Sequence, residues 1–143
     1  MTMNLKKCMN ELLLLGSEDW VHTPDIVSIV IEYGEASTDD EIREMSLALI
    51  REAVLQGLMV VGDVTRAEAG FRKWNMSPEE SVERVEREWR ALKSDRVTGH
   101  SEDGKEWRAR SAIPEIPGEI CWLWITEKGT EIAMSIWEQR KQE

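Results

Sequence analysis

Apolar positions in this chain recur at helical intervals in several separate stretches. Leu5, Cys8, Met9, Leu12 and Leu13 fall at i, i+3, i+4, i+7 and i+8, which lines one face of a first amphipathic helix, and Gly16 follows as a stop. In "HTPDIVSIVIEYG", Thr23 is placed as an N-cap, Pro24 at the first helical position and Gly34 as terminator. Its many β-branched residues leave a strand open, but a short buried helix is favoured. Thr38 and Glu41 form a capping box ahead of Ile42, Met45, Leu49, Ile50, Ala53 and Val54, and Gly57-Leu58 closes the segment. The spacing predicts a helix over about 39–56.

Two β-branched or aromatic runs follow a different period. "LMVVGDV" is expected as a strand pairing with "EICWLWI". In the second run Ile120, Trp122 and Trp124 point one way, while Cys121, Leu123 and Ile125 point the other. Both faces are apolar, so both are expected to be covered. The interval 65–118 is too long for a hairpin turn and carries a helix of its own. There Ser77 and Glu80 make a second capping box, Pro78 takes the first helical position, and Val82, Val85, Trp89 and Leu92 form the apolar stripe. Glu80 to Arg84, Glu83 to Arg87 and Glu86 to Arg90 are spaced for helix ion pairs on the outer face. The next stretch, "KSDRVTGHSEDGKEWRARSAIPEIPG", is dense in turn formers and charge and is expected to be a loop. Thr126 then caps a last helix, with Ile132, Ala133, Ile136 and Trp137 on one face and Arg140 and Lys141 near its carboxyl end.

The pattern predicts a single domain over 1–143 of the α+β class, mainly helical, with a small antiparallel β-sheet and an inserted helix. Within it, "LALIREAVLQGLMVVGDV" resembles the third helix and first wing strand of a winged-helix domain. "CWLWITEKGTEIA" resembles the returning strand and following helix of the same fold. The resemblance spans roughly 36–64 and 119–137. It makes the chain winged-helix-like over 1–64 and 119–143, with an insertion at 65–118 that expands the wing and contains Trp74, Trp89 and Trp107.

The resemblance implies a third helix that enters the DNA major groove, and charge tests that implication. Five acids, Asp39, Asp40, Glu41, Glu44 and Glu52, oppose only Arg43 and Arg51, leaving that helix at −3. The whole chain, with 28 acidic and 18 basic residues, carries −10. A phosphate backbone is a poor partner for such a surface, because nucleic-acid affinity comes largely from Lys and Arg displacing counterions. Arg66, Arg72 and Lys73 in the wing, with Arg108 and Arg110, are the only local basic clusters.

Candidate chemistry is sparse. The chain has no phosphate-binding glycine loop, no nucleophile elbow and no Cys and His at zinc-ligand spacing, so no cofactor, metal or catalytic group is implied. His22 and His100 are the only imidazoles, and Asp95, His100, Glu102 and Asp103 are read as solvated turn residues in preference to metal ligands. Cys8 and Cys121 are read as core thiols, and no apolar stretch nears the roughly 20 residues of a membrane span, so a cytoplasmic protein is expected. Of seven tryptophans, Trp89, Trp122, Trp124 and Trp137 are placed in the core. Trp74 and Trp107 lie among charges, where they either pack over the insertion helix or anchor an interface.

These observations favour a non-enzymatic module that binds a basic protein, one form being an immunity or antitoxin-like inhibitor that neutralises a basic toxin. Asp39, Asp40, Glu41, Glu44, Glu79 and Glu83 would steer the partner, with Trp74 or Trp107 as anchor. The alternative is a DNA-binding transcriptional regulator that uses the basic wing. A weaker third reading is a small enzyme using the 95–106 loop with His100.

Overall fold

The computed structural model describes residues 2–65, 70–91, 95–100, 106–110 and 120–142, with backbone alone at 65, 95–100 and 106–110. In chain order the elements are α1 (Met3–Gly16), β1 (Val21–His22), α2 (Thr23–Glu32), α3 (Asp39–Leu55), β2 (Met59–Thr65) and β3 (Gly70–Lys73). They continue with α4 (Pro78–Ala91), β4 (Asp95–His100), β5 (Glu106–Arg110), β6 (Trp122–Ile125) and α5 (Glu127–Lys141). The fold is α+β and mainly helical. Its main sheet is antiparallel in the order β1-β6-β2-β3, and β4 and β5 form a separate two-stranded ribbon.

The helices start where local chemistry satisfies their first N–H groups. Oγ1 of Thr2, Thr38 and Thr126 accepts from Leu5, Glu41 and Gly129 respectively. The N-cap of α2 is His22, one residue before the expected Thr23. Thr23 is instead buried and donates its hydroxyl to the Cys121 carbonyl at 3.3 Å, which ties the start of α2 to the residue before β6. Gly16, expected as a stop, is the last residue of α1, and Ser17 is the cap.

At the end of α3 the chain turns through Gly57, at φ 73°, into β2. Gly57 N–H donates to Val54 O and Leu58 N–H to Ala53 O, the Schellman pattern that closes a helix and sets the direction of the following strand. The beginning of α5 is built onto this corner. Thr126 N–H donates to Leu58 O at 2.9 Å and Lys128 Nζ to Gln56 O at 3.0 Å. A Cβ at Gly129 would lie 2.3 Å from Leu58 O, so only glycine allows α5 to approach the strand this closely.

One face of the sheet closes the core. Register aligns Val21, Leu123 and Val61 across β1, β6 and β2, and all three are buried. Against them pack Leu12 and Leu13 of α1, Ile26 and Val30 of α2, and Leu49 and Ile50 of α3. Val82, Val85 and Trp89 of α4 extend the same core. The thiols of Cys8 and Cys121 are free and buried, and burial pushes the Cys121 pKa up to about 12.

One expectation for the insertion needs correction. The stretch after α4 was expected as loop, yet it contains β4 and β5, paired from Asp95↔Arg110 to His100↔Glu106. Trp107 and Ala109 do alternate with charged residues in β5, but β4 has a single apolar side chain, Val97, among turn formers, so the apolar pattern is too sparse to separate a ribbon from a loop. "GFRK" also forms a strand, β3, which pairs along β2 from Gly62↔Lys73 to Thr65↔Gly70. At four residues it is too short to carry a periodic signal. Arg66, Leu92, Glu102, Asp103 and the expected loop at 111–118 lie outside the described residues.

Candidate functional site

The far side of the sheet is aromatic and, among the described residues, no helix lies over it; Trp124 is exposed, while Trp20, Phe71 and Trp122 are partly buried. Alternation that turns Leu123 inward turns Trp122 and Trp124 outward, and the register sets His22 beside Trp122, Val60 beside Trp124 and Val64 beside Phe71. Trp20, in the loop ahead of β1, leans over the same surface. Phe71 and Trp124 meet edge-to-face with centroids 5.4 Å apart, and Trp20 lies 6.5 Å from Trp124 at an interplanar angle of 76°. His22 and Trp122 meet edge-on at 4.7 Å.

Trp124 is 48% exposed, so the expectation that both faces of β6 would be covered is wrong for this one. No helix packs over it among the described residues, because the apolar stripe of α4 is spent on the α3 side of the molecule. Trp137, also placed in the core from its spacing, is 40% exposed, since α5 buries only Gly129 and Ala133.

An open pocket of about 220 Å³ adjoins this face, lined by Gly16, Ser17, Glu18, Asp19, Trp20, Trp124 and Ile125. The turn that ends α1 builds its rim: Ser17 N–H donates to Leu13 O, and both Glu18 and Asp19 N–H donate to Leu15 O. Asp19 Oδ1 in turn accepts from the Trp20 backbone N–H at 2.7 Å, which ties the carboxylate to the chain at the rim.

The acidic residues expected to steer a partner fall into two separated groups. Asp39, Asp40 and Glu41 occupy the first turn of α3, where the helix dipole and the Thr38 cap stabilise them. Asp40 also meets Arg43 at 3.1 Å. Glu44 is clasped by Arg90 of α4 through two hydrogen bonds of 2.8 and 2.9 Å, which hold its carboxyl below the usual range. Arg51 and Glu86 meet at 3.5 Å further along, so α3 and α4 run antiparallel. Glu79 and Glu83 are exposed on α4. Eleven residues separate Glu79 from Arg90, about 16 Å along the axis, so these carboxylates do not join the Asp39–Glu41 group.

The expected ion pairs within α4 are largely replaced. Glu86 and Arg90 reach across to α3, and Glu80 accepts from Ser77 N–H in the capping box. Arg84 bonds Glu88 and lies 3.8 Å over the Trp74 ring. Trp74 itself is 5% exposed and donates Nε1–H to Asp63 at 3.0 Å, so it packs under the insertion helix and offers no surface to a partner. Trp107 lies on β5 opposite Gly99, with its side chain outside the described residues.

Arg72 and Lys73 are exposed on β3, whereas Arg66 and the side chains of Arg108 and Arg110 lie outside the described residues. The side chains of Asp95 and His100 lie outside them too. Among the described residues no group of His, Cys, Asp and Glu is arranged to hold a metal, and no helix is long and apolar enough to cross a membrane.

Sequence reasoning missed Trp20, Phe71, Trp122 and Trp124 as a surface, although the strict alternation of "WLWI" was the signal. No protein-family model, curated protein or solved structure matches this chain.

Proposed function

We propose that this chain is a non-enzymatic, cytoplasmic protein-binding module on a winged-helix-like frame, recognising a basic protein. One concrete form is an immunity or antitoxin-like inhibitor that covers the cationic groove of a toxin. The observation that carries this reading is an aromatic sheet face, with Trp124 about half exposed and no helix over it among the described residues, on a chain of net charge −10. Tryptophan is enriched where interfaces concentrate their binding energy, and opposite net charge speeds encounter and excludes acidic competitors.

The enclosure of α3 supports the same reading. A helix that reads DNA needs a free, basic outer face, whereas α3 packs between α1 and α2 on one side and α4 on the other. What it leaves exposed begins with Asp40, Glu41 and Glu44.

Affinity capture from the native host, with and without nuclease and followed by mass spectrometry, tests the proposal. A basic protein retained after nuclease treatment, with association slowing as salt rises, is the expected result. Sequence-selective capture of duplex DNA at physiological salt would favour a transcriptional regulator instead.

A further inference from the structure

The pocket beside the aromatic face is built to select charge as well as shape. Its floor is the carboxyl end of α1, where the helix dipole is negative and the last turn contains no basic residue to offset it. Glu18 and Asp19 stand at its rim. Neither forms an ion pair among the described residues, and Asp19 commits only Oδ1, to Trp20 N–H. Its remaining wall is the corner made by the Trp20 and Trp124 indoles, set at 76° to each other. Two acidic residues, the carboxyl end of a helix and two indoles thus line one opening.

We propose that this pocket receives an arginine side chain of a basic protein partner, its guanidinium stacked on an indole of the Trp20–Trp124 corner and its N–H groups turned to Glu18 and Asp19. A flat guanidinium suits an open corner, because it can stack on one ring and still present its edge to two carboxylates. A compact ammonium gains less from a site that does not surround it. The proposal deepens the protein-binding reading and rests on it only for the source of the arginine.

The test titrates the full chain with three short capped peptides that differ at one position, arginine, citrulline or lysine, while following the indole N–H resonances of Trp20 and Trp124. The arginine peptide should shift both signals saturably in the millimolar range, with the citrulline peptide at least about fivefold weaker and the lysine peptide weaker than arginine. Trp124→Ala, at an exposed position, and the double variant Glu18→Gln/Asp19→Asn, which keeps an oxygen for Trp20 N–H, should each weaken arginine binding about fivefold or more. Equal binding of arginine and citrulline peptides, or no response at either indole, would overturn the proposal. So would a lysine peptide that binds as tightly as arginine. The two readings fail separately. A pocket that binds the arginine peptide in a chain that retains no basic protein sinks the partner reading alone. A retained partner indifferent to the double variant sinks the arginine pocket alone.

Discussion

Trp89 and Trp124 sit on two sides of the molecule with opposite surroundings. Trp89 is 2% exposed in the layer where α4 covers α3, and Trp74, also buried, has Asp63 for its N–H and Arg84 of α4 over its ring. Trp124 is 48% exposed and touches other aromatics only from the side. Both lie on apolar faces that sequence spacing assigns to the core. What separates them is a third element: among the described residues the insertion supplies a helix to one side and none to the other. An aromatic surface left bare in this way is a candidate for a partner, because nothing within the described chain uses it.

The comparison breaks most readily on stability. Trp89→Ala should cost about 3–5 kcal/mol in chemical denaturation, whereas Trp124→Ala should cost about 1 kcal/mol or less. Similar losses would mean that Trp124 is as covered as Trp89. A smaller effect is expected from Trp74→Phe, which strands the Asp63 carboxylate and should destabilise by roughly 1–2 kcal/mol, read from the unfolding midpoint. Smallest is Glu44→Gln. The Glu44–Arg90 pair joins α3 to α4 but both side chains are about half exposed, so solvent screening limits its worth to about 0.2–1 kcal/mol.

The same pair has a pH signature. The Arg90 hydrogen bond lowers the Glu44 pKa in the folded state, so its contribution is present above the ordinary carboxylate value and lost as pH falls through the depressed one. Acid unfolding profiles of the parent and Glu44→Gln should therefore converge only at the acid end. Convergence at neutral pH instead would show that the pair does not brace the covered side.

Much of the frame was legible because its signals are local. The Ser77 capping box, the Thr38 and Thr126 caps and the Gly57 exit each act within a few residues and appear where expected, although the Glu41 carboxylate accepts from the Thr38 hydroxyl and does not close a full box on its N–H. Pairing of β2 with β6 was legible from two apolar runs alone. β3 and the β4–β5 ribbon were not, since a short edge strand and a ribbon with only Val97, Trp107 and Ala109 as apolar side chains leave too little periodicity to read.

The candidate site was less legible for a related reason. Alternation showed that Trp122 and Trp124 share a face, but whether a face is covered depends on where a distant helix docks. The expected pairs within α4 failed likewise, because Arg90 and Glu86 found partners on α3, more than thirty residues away in sequence. Trp74 was open to two readings, packing over the insertion helix or anchoring an interface; Arg84 over its ring and Asp63 on its N–H decide for packing.

The central claim is the proposal that the aromatic face around the exposed Trp124 binds a basic protein. It is tested most directly by measuring the affinity of the parent chain and of Trp124→Ala for the partner retained after nuclease treatment, alongside the unfolding free energy of each. The account predicts a loss of about 2 kcal/mol or more in binding, roughly thirtyfold, with folding stability little changed. Undiminished affinity in Trp124→Ala, with the variant folded, would contradict it.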